Sequence, residues 1–178
     1  MRFHALILGI FLAPGAISAT TVHSGTHQEA KKDYLTESEA DKIRDAVLPP
    51  ERIKLFVGFA EDRLKKFQYE LTRTTPEGRR VEILNSLLNA YAGCMDDAAD
   101  QIDIAREKQI DIRSQLKLMQ SKGKEFLQVL EKINQGGPEY DTYKETLEDA
   151  IEGTKDAISD ADKAAKELTP VPVRRKPS

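Results

Sequence analysis

The sequence predicts an all-α protein: an elongated antiparallel helical bundle whose coiled-coil-like hairpins pack around one long central helix, with a compact four-helix bundle as the alternative. Three observations predict it. From Ile53 to Leu168 apolar residues recur at alternating steps of three and four, the spacing of one helical face. The composition, 32% charged and 6% aromatic with no Trp, is that of long amphipathic helices. Proline and glycine stand between the periodic stretches, at Pro49-Pro50, Pro76 and Gly136-Gly137-Pro138, where they punctuate the chain.

The N-terminus reads as an export signal over residues 1–19. Arg2 and His4 precede the apolar run Ala5 to Ala13, followed by Pro14-Gly15 and the small-residue stretch Ala16-Ile17-Ser18-Ala19. That run is shorter than the roughly 20 residues a spanning helix needs. The expected product is exported, periplasmic or secreted, with no membrane span after signal cleavage. Residues 20–35 are polar and aperiodic at first, a flexible leader ending at Leu35.

A single helical domain is expected over 36–168. Its first helix, about 36–48, carries the S/T-x-x-E spacing of a capping box at Thr36 and Glu39, with Leu35 placed as a hydrophobic staple. Ala40, Ile43 and Val47 form its apolar edge, and Pro49-Pro50 ends it. A helix this short does not persist alone in water, so it must dock. The second, about 50–73, sets Ile53, Val57, Ala60, Leu64, Phe67 and Leu71 on one stripe that Phe56 and Phe59 widen.

Thr75 as N-cap and Pro76 at the first turn open the third helix. From Val81 to Ile133 one series keeps its register through Leu84, Leu88, Tyr91, Met95, Ala98, Ile102, Ala105, Ile112, Leu116, Met119, Phe126 and Leu130. Only Gln109 and Gly123 interrupt its apolar character. Helices joined by a loop have no obvious reason to stay in phase, so one helix over about 77–135 is expected, about 88 Å long at 1.5 Å per residue. A kink at Gln109 or Gly123 is the route to the compact alternative. The last helix, about 138–168, repeats Tyr140, Leu147, Thr154, Ala161 and Leu168 in strict heptads, flanked by Tyr143, Ala150, Ala157 and Ala164. So many alanines imply close helix approach, within one chain or between two. The tail, 169–178, is proline-spaced and basic and is expected to be disordered.

Charge excludes one class of partner. All 30 acidic residues lie between Glu29 and Glu167, where 23 basic residues leave a net charge of −7. Nucleic acid needs a basic face, which that segment lacks. Histidine excludes more. His4, His23 and His27 all precede the helical region, so a His-ligated metal, a haem or a Ser-His-Asp arrangement has no imidazole there. The lone Cys94 borders the apolar series and is expected to be a buried small hydrophobe rather than a bridge between chains.

The chemistry-bearing stretch is Asp96-Asp97-x-x-Asp100. Its spacing resembles the aspartate-rich motif of all-α isoprenoid synthases, a resemblance that implies Mg²⁺ ions chelated for a diphosphate substrate. The resemblance covers those three residues alone; the chain is about half the family's length and no second aspartate-rich motif is recognisable. With Met95, Ala98 and Ile102 facing the core, Asp96, Asp100, Asp103 and Glu107 fall on a solvated stripe, and Glu145, Asp149, Glu152 and Asp156 form another on the last helix. The expectation is therefore no catalytic, cofactor or metal site, with Asp96, Asp97 and Asp100 as the weak metal candidates, and no cofactor. Function is expected to be that of a non-catalytic exported interaction or scaffold protein with another protein as partner. A holdase-type periplasmic chaperone using Phe56, Phe59 and Phe67 is the alternative, although the Leu-Thr-x-x-Gln repeats of Spy-like chaperones are not found. A Mg²⁺-dependent enzyme comes third.

Overall fold

The computed structural model describes residues 34–73, 77–137 and 139–168, without the side chains of residues 77 and 78. The expected signal peptide, the leader up to residue 33, the Thr75-Pro76 start, Pro138 and the basic tail lie outside them. The described residues form five helices: α1 (Glu37–Asp45), α2 (Pro49–Thr72), α3 (Glu77–Glu107), α4 (Arg113–Ile133) and α5 (Tyr140–Glu167).

These helices make an all-α bundle. Thr36 caps α1 with the full capping box, its hydroxyl accepting from the Glu39 backbone N–H at 3.3 Å while the Glu39 carboxylate accepts the Thr36 N–H at 2.9 Å. Leu35 is buried beside it in the core. Pro49 and Pro50 open α2, where the first turn has no N–H partner to lose.

The long central helix is not formed; α3 and α4 are separate, and the four-helix alternative holds. The chain leaves α3 through a reversal in which the Ile110 N–H reaches the Ala105 carbonyl at 2.8 Å and the Gln109 N–H reaches that of Arg106 at 3.0 Å. Those are the paired bonds of a Schellman motif, with Gln109 in the left-handed region at φ 57° where glycine is usual. Ile110, the residue after it, packs on the core. Asp111 then holds the start of α4, accepting the Arg113 backbone N–H at 3.2 Å. The register survives the break because Ala105 and Ile112 are each pinned to the same interior; two amphipathic helices facing one core orient independently to the same result.

Gln109 gives a first expected outcome. A β-branched residue tolerates the left-handed region poorly, so Gln109→Val should cost about 1–2 kcal/mol, while Gln109→Gly should be neutral or stabilise by up to about 1 kcal/mol. Thermal denaturation of both variants checks the reversal: an unbroken helix through residue 109 predicts the opposite order.

Of the two break points that the compact alternative allowed, Gly123 is not used. α4 continues through it, and a Cβ there would come within 2.7 Å of Ile158 Cγ1 on α5. This glycine lets two helices touch. The alanines of α5, Ala150, Ala157, Ala161 and Ala164, are buried along the same helix.

Side-chain links set the directions. Asn85 donates to the Thr142 carbonyl at 2.9 Å and accepts from Thr146, Tyr91 bonds Thr154, and Arg106 pairs with Glu167, so α3 and α5 run parallel. Gln120 with Asp162 and Lys155 with Glu131 make α4 and α5 antiparallel. α2 lies along α3 and α4, and α5 lies along the same two, which puts α3 and α4 at opposite corners of a square. Both diagonals close on aromatic edges, Phe67 with Tyr143 at 5.4 Å and Tyr91 with Phe126 at 5.9 Å between ring centroids.

Candidate functional site

Asp96, Asp97 and Asp100 do not act as one group. Asp96 and Asp100 are exposed, whereas Asp97 is buried. The helix explains the split, since successive residues turn by about 100°. Asp97 lies one turn beyond Gly93, on the stripe against which Tyr34 packs. Asp96 turns the other way, toward α5, with its carboxylate 3.7 Å from the Cβ position of Gly153. Partial burial and the neighbouring Asp100 charge both push its carboxyl above the ordinary carboxylate range.

The parallel packing of α3 and α5 has a consequence that residue spacing concealed. Asp96 meets α5 one residue from Glu152, so the acidic stripes of the two helices, taken from sequence as unrelated, belong to neighbouring elements. Asp100, Asp103 and Glu107 continue the exposed edge of α3, and Glu145, Asp149, Glu152 and Asp156 that of α5. Arg106 interrupts it at the far end, bonded to both Asp103 and Glu167. Among the described residues no three His, Cys, Asp or Glu side chains converge to hold a metal ion.

The most constrained polar group is one that sequence reasoning missed. Arg63 is only 5% exposed, on the inward side of α2 between Ala60 and Leu64. Its guanidinium donates to Glu39 Oε2 at 2.5 Å, to the Tyr34 carbonyl at 3.3 Å and to Asp62 at 2.7 Å. Burial alone would push the Glu39 carboxyl up, but the bonds from Arg63 and Thr36 outweigh it and bring it down to about 2. The complementary effect raises Arg63, with Cys94 on α3 also close enough to act on its charge. Position 63 falls three residues after Ala60 and four before Phe67, so the apolar stripe itself marks this arginine as inward.

Other buried polar groups hold helix to helix. Arg80 donates to the carbonyls of Leu71 and Arg73, closing the free C-terminal end of α2, and pairs with Glu139 ahead of α5. The Tyr91 hydroxyl shares a 2.7 Å bond with Thr154, whose own hydroxyl donates to the Ala150 carbonyl. Cys94 is fully buried in the core, as its place in the apolar series implies. Phe56, Phe59 and Phe67 are buried too, so the face offered for an unfolded client is core. No protein-family model matches this chain, and neither a curated protein nor a solved structure matches it.

Proposed function

We propose that this chain is a non-catalytic, exported interaction protein that serves as a helical scaffold in the cell envelope or exterior and binds another protein. One observation carries the reading: Asp96 and Asp100 stand exposed on α3 beside exposed Glu152 and Asp156 on its parallel neighbour α5, while buried arginine, tyrosine and threonine side chains tie the helices together. Two adjacent acidic helices on a rigid bundle offer a negative surface, and a partner with a basic surface is what such a surface selects and steers.

Affinity capture from the exported fraction tests it, with wild type set against Asp96→Lys/Asp100→Lys. The expected result is one stoichiometric partner, retained by wild type and lost by the double variant. Equal retention by both moves the interface off this face. Two further measurements separate the competing readings. Slowed aggregation of an unrelated unfolded protein would support the holdase. A melting temperature raised by Mg²⁺ with diphosphate, in wild type but not in Asp96→Ala/Asp100→Ala, would support the enzyme; the scaffold predicts the same response from both chains.

A further inference from the structure

The nine residues of α1 are too few to stay helical in water without a surface to dock on. The seat they use is specific. Leu35 and Ile43 enter the core, Glu39 meets the buried Arg63 of α2, and the Tyr34 ring lies over Gly93 of α3, where a Cβ would come within 2.8 Å of it. None of these contacts requires α1 and α2 to belong to the same chain.

What joins them is the connection Ala46-Val47-Leu48. Its backbone is extended at Ala46 (φ −75°, ψ 101°) and at Leu48 (φ −104°, ψ 141°). Proline at 49 keeps Leu48 extended and makes the start of α2 rigid. A single change at Val47 is therefore enough to turn α1 outward. Val47 is 80% exposed and Leu48 50%, and beside Tyr69 they are the exposed large apolar side chains of the described residues. The connection is held folded back by Arg52, whose Nε donates to the Ala46 carbonyl at 2.8 Å.

We propose that α1 is an exchangeable arm through which two copies of this chain pair, each seating its α1 on the Arg63 and Gly93 of the other. The occupant is a second copy because the seat complements this one helix in charge and in shape: a carboxylate for Arg63, and an aromatic ring for the space that Gly93 leaves. The contacts of α1 with its seat are kept on exchange and only the Arg52 bond at the connection is given up, so the arrangement costs little beyond that bond and bringing two chains together. In the pair the two connections run past each other, and Val47 and Leu48 of one copy cover those of its mate. Side chains idle in the single chain then gain a burial partner.

Charge reversal tests the exchange. Glu39→Arg alone sets two cations together in the seat, and Arg63→Glu alone sets two carboxylates. Mixed in equal amounts, exchanged arms restore an opposite pair at both seats: the reversed arm of the first variant meets the reversed seat of the second, and the native Glu39 of the second meets the native Arg63 of the first. The expected result is a 1:1 complex of twice the single-chain mass in the mixture and monomers in each variant alone, with α1 amide exchange slowed about tenfold or more on mixing. A mixture that stays monomeric, or a complex whose α1 amides remain open, overturns the proposal. Should Arg63→Glu not fold, the wild-type chain against Val47→Asp/Leu48→Asp provides an independent test. A concentration-dependent dimer of the wild type that the double variant loses is expected, and a wild type that stays monomeric, or an equal dimer from both, overturns the proposal.

Discussion

Replacing Tyr91 by alanine is expected to remove about 3–5 kcal/mol of stability. The ring is fully buried, meets Phe126 edge-on across the bundle, and carries the hydroxyl that bonds Thr154. Its loss opens a cavity where α3, α4 and α5 come together, and alanine-lined α5 has few long side chains with which to refill it. Tyr91→Phe separates the two contributions. Thr154 keeps its bond to the Ala150 carbonyl, so losing the hydroxyl should cost only about 1 kcal/mol. Urea denaturation of both variants checks this. A Tyr91→Ala loss no larger than that of Tyr91→Phe would mean that α4 does not close over the ring.

Arg63→Ala is expected to cost on the order of 3 kcal/mol, expressed as release of α1 rather than unfolding of the bundle. Glu39 sits on an element that can swing into water, so its stranded carboxylate escapes burial by taking the helix with it. The same pair sets the acid response. Glu39 has its carboxyl lowered from 4.5 to about 2 in the folded chain. A depressed acid contributes stability that is whole above its unfolded value and is lost as protons bind. The contribution, about 2–3 kcal/mol, should therefore persist above pH 4.5 and disappear as the pH falls from about 4.5 toward 2. The NMR signals of Ile43 report it. They should move to unfolded positions over that window in wild type, and should already stand there at about pH 7 in Arg63→Ala. Ile43 signals unchanged by the substitution at neutral pH would show that the apolar contacts of α1 suffice without the ion pair.

Most of the fold was legible because it is local. The capping box at Thr36 and Glu39, the prolines opening α2 and the heptads of α5 act within a turn or two of chain, and all stand where the sequence puts them. The inward series from Leu84 to Leu130 was legible too, down to the burial of Cys94 beside it. What misled was reading unbroken phase as an unbroken helix. The reversal at Gln109 uses a residue that seldom takes the left-handed conformation, and its supporting signals, Ile110 as the apolar residue after the turn and Asp111 at the start of α4, are single residues inside a periodic run. Gly123 misled in the other direction: the sequence shows a weak helix former, and only Ile158 on another helix explains it.

The aspartates divide the same way. The exposure of Asp96 and Asp100 followed from helical period, but that Asp96 would rest beside Gly153 of α5 did not, because parallel neighbours separated by the whole of α4 leave no mark in residue spacing. The sequence alone determined that the chain is helical, where α1 and α2 begin and most of the inward positions, since capping, periodicity and proline act through adjacent backbone groups. It erred at Val47, set on the inward edge of the first helix, because α1 ends at Asp45 and leaves that side chain 80% exposed. Only the tertiary structure decided where the chain reverses, which helices become neighbours, and that Arg63 would close on Glu39. Those outcomes depend on close approach between segments distant in sequence, where packing and desolvation outweigh local preference.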